Sequence, residues 1–304
     1  MKQKNGTGGN VEQQTVEEVS MYTSLNRVLK KADELNMAVG AFNTHSLEML
    51  PAIISAAKEQ GTPVIIQTSV GTANYVGHRN LVSVCESMSD QAGIDVVLHL
   101  DHAKEYQDIK EAIDAGYSSV MFDGSSLPLK ENILKTQQII EYAKKHDVSV
   151  EAELGIVGGT EDGVAASEAE VKYTDPEEAV TFVQKTGIDA LAVAIGTNHG
   201  QYKSKTNINF ERLKEIKEAV DLPLVIHGGT GVKNEDVRKV IDLGIRKFNV
   251  GTELLVTWTK KSKELFGHTS ENASLRNNVV PCIEAVNEVV QGKIKLFKNL
   301  NEGR

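Results

Sequence analysis

The chain has 304 residues, 40% of them hydrophobic and 25% charged, a balance that lets a large apolar core form without disulfide staples. Its formal net charge of −9 argues against a general nucleic-acid or anionic-membrane binder and confines any phosphate site to a local pocket. The two cysteines, Cys85 and Cys282, lie far apart and suit buried thiols in a reducing compartment, while no apolar run reaches the ~18 residues of a membrane span; a cytoplasmic protein without nucleic-acid or membrane partners is expected.

Residues 1–20 are polar and rich in Gly, Gln and Glu, and are expected to be a disordered extension or an expression remnant. The rest, residues 21–304, is expected to form one domain. Its first element is a helix from Ser24 to Leu35, with Leu25, Val28, Leu29, Ala32 and Leu35 on one face, suited to cap the bottom of a barrel. From Met37 onward, short β-branched and apolar runs alternate with longer amphipathic ones. The strands are predicted at Met37–Phe42, Val64–Gln67, Val96–Asp101, Ser119–Phe122, Val148–Glu153, Ala190–Ile195, Pro223–His227 and Lys247–Val250. Their near-continuous apolar character fits a parallel sheet buried on both faces. Between them, Asp175-Pro176 opens a helix that Gly187 closes, and Gly61, Gly116 and Gly244 close others. The pattern predicts a single (β/α)8 TIM barrel, which needs ~250 residues, with an extra N-terminal helix and a C-terminal helical extension.

Barrel active sites are built at the carboxyl ends of the strands. Those ends are expected to carry Asn43, Ser69, Asp101-His102, Asp123, Glu151 and Glu153, His199, His227 and Asn249. His102, His199 and His227 follow the third, sixth and seventh strands, and three neutral imidazoles around an open fourth position describe a catalytic zinc site. A single strand-end histidine is more often a hydrogen-bonded core residue; three on one rim point to a metal. His99 sits deeper on its strand, where it supports a ligand rather than being one.

Gly228-Gly229-Thr230-Gly231 after strand seven and Asn249-Val250-Gly251-Thr252 after strand eight form a candidate phosphate cradle, because exposed backbone N–H groups before a helix start hold anions. The plainer alternative is that these glycines only make tight turns. Between strand five and its helix, Gly155–Thr174 gives about twenty residues where ~2–6 is usual. This loop is expected to be a lid hinged at Gly158-Gly159 and carrying Glu161-Asp162.

The motifs HLDHA from His99, VMFDGS from Val120, VEAELG from Val150, GGTEDG from Gly158, AIGTNHGQYK from Ala194, HGGTG from His227 and NVGTE from Asn249 resemble, in order, those of the class II fructose-bisphosphate and tagatose-bisphosphate aldolases. The resemblance runs from Met21 to the end. It implies that His102, His199 and His227 hold a catalytic zinc, that Asp101 is the acid/base at the ketose C4 hydroxyl, and that Asp123 and Glu153 offer a second metal position. It also implies that Glu161 takes the proton when the bound triose phosphate becomes nucleophilic. Asn43 and Ser69 match positions near the sugar; Gly200, Gly228, Gly229, Thr230, Asn249, Val250, Gly251 and Thr252 match the phosphate pocket, beside which the family often binds a monovalent cation. The expected small-molecule partner is a phosphorylated ketose or dihydroxyacetone phosphate.

The sequence departs from that pattern in two places. Relatives acting on bisphosphates carry Asp-Pro-Arg before the last helix, with the arginine reaching a neighbouring subunit's site; here Ala273-Ser274-Leu275-Arg276 keeps only the arginine, implying a homodimer or homotetramer. The loop Thr68–Arg79 also diverges. The substrate is therefore left among fructose 1,6-bisphosphate, tagatose 1,6-bisphosphate and another ketose phosphate, such as an inositol-pathway deoxyketonate phosphate. A metal-dependent barrel hydrolase is the rival from another class, but it usually wants His-x-His on the first strand, where Phe42-Asn43-Thr44-His45 stands. A non-catalytic binding barrel would be expected to lose a ligand, Asp101 or the lid carboxylate, and the sequence keeps all of them.

Overall fold

In the computed structural model the described residues are 20–161, 164–166, 172–200 and 207–299. Eight parallel strands close a barrel: β1 (Val39–Asn43), β2 (Val64–Ser69), β3 (Val96–Ala103), β4 (Ser119–Phe122), β5 (Ser149–Leu154), β8 (Ala190–Val193), β10 (Leu224–Ile226) and β11 (Ile245–Val250). Neighbours in sequence are neighbours in space, and β11 returns to pair with β1 through Val39↔Lys247 and Ala41↔Asn249. Residues 1–19 of the expected extension lie outside the described residues.

Each strand feeds one or two helices that cover the outside: α2 (Leu50–Gln60), α3 (Val70–Val76), α4 (His78–Ala92), α5 (Tyr106–Ala115), α6 (Leu129–Ala143), α7 (Pro176–Thr186), α8 (Phe210–Ala219), α9 (Asn234–Asp242), α10 (Thr252–Phe266) and α11 (Leu275–Phe297). Helices α2, α5 and α7 end at Gly61, Gly116 and Gly187, as the sequence predicts. Asp175 opens α7, its carboxylate accepting from the backbone N–H groups of Glu177 and Glu178 at 2.9 and 3.0 Å. The segment Thr68–Arg79, expected as a loop, is helical over α3; Ser69 starts it by accepting from the Thr72 amide at 3.3 Å.

The two sides of the sheet bury different cores. Between strands and helices lies the larger one, with Phe42, Tyr117, Phe122, Phe182, Phe248 and Phe297 among its members. Cys85 lies in it as a free thiol, pushed up to about 12 by burial. Inside the barrel, Val39, Ala41, Ile65, Val97, Met121, Ala190, Ala192 and Val225 meet Leu25, Val28, Leu29 and Ala32 of α1 (Leu25–Glu34). The N-terminal helix thus plugs the barrel bottom. Leu35, assigned to its apolar face, is instead exposed, because the helix has ended at Glu34.

Period-two alternation decides what fills the interior above that plug. Going up β1 the inward residues are Val39, Ala41 and Asn43; up β2, Ile65 and Gln67; up β3, Val97, His99 and Asp101; up β10 and beyond, Val225 and His227. The interior is apolar at the bottom and polar at the carboxyl end. That gradient positions the site.

Candidate active site

The local geometry of β3 brings two successive residues to one place. In a regular strand Asp101 and His102 would face opposite sides, but the β3–β4 register slips between Leu100 and Ala103. His102 has φ +48°, a left-handed conformation that costs a non-glycine residue ~1–3 kcal/mol and tends to persist where function requires it. The irregularity turns both side chains to the rim, where ligating atoms of Asp101, His102 and His227 lie within 4.8 Å of one another. A second group within the same limit joins His102 to Asp123 and Glu153.

Asp101 is held by three side-chain amides. Asn43 Nδ2 and Gln67 Nε2 donate to its Oδ2 at 2.9 and 3.1 Å, and Asn249 Nδ2 donates to its Oδ1 at 3.4 Å. Gln67 also donates to Asn43 Oδ1 at 2.8 Å. These bonds fix the carboxylate's plane in a buried setting, where an ionised acceptor makes stronger bonds than in water.

The two imidazoles are fixed by carboxylates. His227 Nε2 lies 2.8 Å from Glu151 Oε1, and His102 Nδ1 lies 3.3 Å from Asp123 Oδ2. An N–H directed at each carboxylate leaves His227 Nδ1 and His102 Nε2 unprotonated in the neutral rings, and these two atoms face each other at 2.7 Å. Glu153 Oε2 stands 3.6 Å from His227 Nδ1. Two nitrogen lone pairs beside carboxylates make a donor set suited to a divalent cation of borderline softness, and zinc fits it.

The surroundings hold the groups in those states. Burial pushes His227 below the ordinary imidazole range, as does the neighbouring His102. Burial pushes the Glu151 carboxyl up, but the Lys247 ammonium, the His227 hydrogen bond and His99 together outweigh it and hold the group well below the carboxylate range. Burial likewise opposes ionisation of Asp123, and the bonds from His102 and Ser125 win. His99, whose Nδ1 lies 2.8 Å from Ser119 Oγ, sits beneath the rim as expected and is pushed far below its usual range, mainly by burial.

Several predicted positions are placed differently. Glu151, expected at the rim, is fully buried one layer below Glu153 and paired with Lys247; two residues along a strand keep the same face but rise only one layer. Arg276 is exposed in the first turn of α11 and, among the described residues, makes no hydrogen bond or ion pair with the site. The Gly158-Gly159 pair, expected as a hinge, is the start of β6 (Gly158–Glu161), which pairs with β7 (Val164–Ala166) and with β9 (Asn198–His199). The backbone of this segment is thereby tied to the two-residue strand that carries His199 and ends just before Gly200. The imidazole of His199, the carboxylate of Glu161 and all of Asp162 lie outside the described residues.

The two glycine loops adjoin, as a phosphate cradle requires. A Cβ on Gly229 would stand 2.1 Å from Phe248 Cε1 and 2.9 Å from the Asn249 carbonyl oxygen, and one on Gly251 would stand 3.0 Å from Asn43 Oδ1. Gly229 is therefore demanded by close packing alone, while Gly251 leaves little room beside the Asn43 side chain. Thr230 is half-buried in the first loop, Val250 ends β11 and Thr252 opens α10. The first-turn acid of that helix, Glu253, is neutralised by Lys293 at 2.8 Å, which leaves the helix start favourable to an anion.

Gln67 and Lys247 were not among the sequence candidates. Their signal was parity: Gln67 follows Ile65 and Lys247 precedes Asn249 on inward-facing positions.

Comparison with known proteins agrees with this geometry. The family model described as fructose-bisphosphate aldolase class-II matches residues 23–302. A fructose-bisphosphate aldolase from Staphylococcus aureus is 42% identical over 284 residues, 92% of this chain and 99% of that relative. The crystal structure of the YdjI aldolase from Escherichia coli K12 superposes with a TM-score of 0.80 at 32% identity, covering 93% of this chain and 100% of the other. A Campylobacter jejuni fructose-bisphosphate aldolase shares the fold, with a TM-score of 0.78 at 23% identity over 93% and 97% of the two chains. Family match, relatives and barrel geometry converge: the chain belongs to the class II fructose-bisphosphate aldolases and is a carbon–carbon lyase.

Proposed function

We propose that the chain catalyses reversible cleavage of fructose 1,6-bisphosphate, or of its C4 epimer tagatose 1,6-bisphosphate, into dihydroxyacetone phosphate and glyceraldehyde 3-phosphate, using zinc held by His102, His199 and His227. The observation that carries this reading is a buried carboxylate, Asp101, oriented by three amides beside the paired nitrogens of His102 and His227. Bound there, the metal supplies Lewis-acid polarisation of the ketose carbonyl, which makes a carbanion next to it tolerable.

The chain's own residues do the rest. Asp101 takes the C4 hydroxyl proton in cleavage and returns it in condensation. Glu161 removes the proton that makes the triose phosphate nucleophilic. Asp123 and Glu153 offer a second divalent position. Asn43 and Ser69 face the sugar, and Gly200, the Gly228-Gly229-Thr230 turn and Asn249–Thr252 bind the phosphate through backbone N–H groups and hydroxyls, with a monovalent cation beside them. Arg276, exposed in the first turn of α11, reaches the distal group in a neighbouring subunit of a homodimer or homotetramer. Residues 21–304 form the catalytic domain, residues 1–20 are an extension, and the enzyme works in the cytoplasm.

The test is coupled-assay turnover of both bisphosphates, with and without a chelator, beside Asp101→Ala. Chelator-sensitive cleavage of either, lost in the variant, supports the reading and identifies the epimer. No turnover of either would move the substrate to ketose phosphates with a different distal group, for which the altered setting of Arg276 is the specific motive.

A further inference from the structure

One layer beneath the rim lies a charge pair for which the proposed chemistry has no direct use. Lys247 Nζ, fully buried, stands 2.9 Å from Glu151 Oε2 and donates to Asn249 Oδ1 at 2.8 Å. The other oxygen of Glu151 accepts from His227 Nε2 at 2.8 Å, and the amide nitrogen of Asn249 donates to Asp101 Oδ1 at 3.4 Å. One ammonium thus connects, through two short bridges, a candidate metal ligand and the candidate acid/base.

The polarity of those bridges follows from the ammonium. It can only donate, so the Asn249 side-chain oxygen must turn toward Lys247 and its NH2 toward Asp101. Reversed, the amide would set its oxygen against a carboxylate and its NH2 against a cation. On the other bridge, Lys247 holds Glu151 as an acceptor; Glu151 then draws the His227 N–H to Nε2 and leaves Nδ1 as the lone pair turned toward His102. A buried ion pair is a weak source of stability, and apolar residues of similar volume often do as well or better. No apolar pair would impose either orientation.

We propose that Lys247 is a positioning residue that sets, through Glu151, the ring tautomer of His227 and, through Asn249, the donor aimed at Asp101. The inference rests on the reading of His227 as a metal ligand and Asp101 as the acid/base. It goes beyond that reading by assigning work to a residue that touches neither metal nor substrate.

The experiment compares the full chain with Lys247→Met and with the double variant Lys247→Met/Glu151→Leu, which removes both charges and keeps the interior neutral where the single variant fails to fold. Three quantities are read: the ring 15N shifts of His227 in metal-free protein, zinc affinity by chelator competition, and kcat and KM separately. The parent should hold His227 as the Nε2–H tautomer. The variants should mix tautomers, bind zinc about 10–100-fold more weakly, and lose about tenfold or more in kcat with KM within about threefold. A purely structural role would lower the melting temperature while leaving tautomer and zinc affinity alone. A folded double variant that keeps the parent's tautomer and zinc affinity overturns the inference by itself. A parent that binds no zinc overturns the reading of His227 as a ligand, and the inference with it.

Discussion

His102 Nε2 and His227 Nδ1 face each other at 2.7 Å, with the two rings near perpendicular at 84°. The opposite nitrogen of each ring is committed to a carboxylate, Asp123 for His102 and Glu151 for His227. Two facing lone pairs repel each other unless something positive lies against them, and that juxtaposition directs the site toward a cation. Replacing either ring should therefore weaken zinc binding by more than the ~10–100-fold that loss of an outer partner costs. Chelator competition on His102→Ala and His227→Ala measures this; zinc affinity unchanged in both would exclude the pair as ligands.

Gln67 should matter to Asp101 without mattering to the metal. Its amide donates to both Asp101 and Asn43, and a hydrogen bond to a charged group contributes ~1.5–3 kcal/mol. In Gln67→Leu, kcat should fall about tenfold or more on that scale, with zinc affinity retained. A variant with the parent's kcat would show that Asp101 is oriented without it.

The metal-free protein should lose stability on acidification over the interval that begins at about pH 6.5 and runs downward. His99 and His227 are both lowered from the ordinary value of 6.5, chiefly by burial. In the unfolded chain these rings take protons near that ordinary value, whereas in the fold they do so only at lower pH. Over that interval the unfolded state binds more protons, so stability is full above it and falls as the pH drops. Melting curves of chelated protein at pH 7.5, 6 and 5 test this, and the drop should shrink in His99→Gln. A melting temperature flat across that range would contradict the assignment of neutral buried rings.

A methyl group at Gly229 should be poorly tolerated. It would lie 2.1 Å from the ring of Phe248, itself stacked on Phe297 at 4.8 Å, so the strain reaches the outer core. Overpacking of this kind costs ~1–3 kcal/mol. Thermal unfolding of Gly229→Ala should show a loss of several degrees together with a raised KM; a variant as stable as the parent would mean that the loop moves aside freely.

The barrel was legible because its strands are buried on both faces and so read as short apolar runs, from Val64 to Leu191 and Val225. Helix ends were legible where local chemistry sets them, as at Asp175 and Gly187. The rim residues followed once strand ends were known. Lys247 and Gln67 did not, because a polar residue in a short strand reads as an edge or an exposed position until the barrel closes around it. Glu151 was read one layer too high for the same reason. The slip between Leu100 and Ala103 that aims Asp101 and His102 together has no local marker, since histidine, though more frequent at positive φ than most residues, adopts it too rarely for its presence to signal one. Pairing of Gly159 with His199 joins segments far apart in sequence, which periodicity within either cannot foretell.

The most direct test of the central claim is reconstitution: protein stripped with a chelator is titrated with zinc while cleavage of fructose 1,6-bisphosphate is followed. The account predicts no turnover in the stripped protein and recovery in proportion to zinc until the site is filled, with no recovery in His227→Ala. Turnover that survives complete removal of metal, or a triose trapped on a lysine by borohydride, would contradict it.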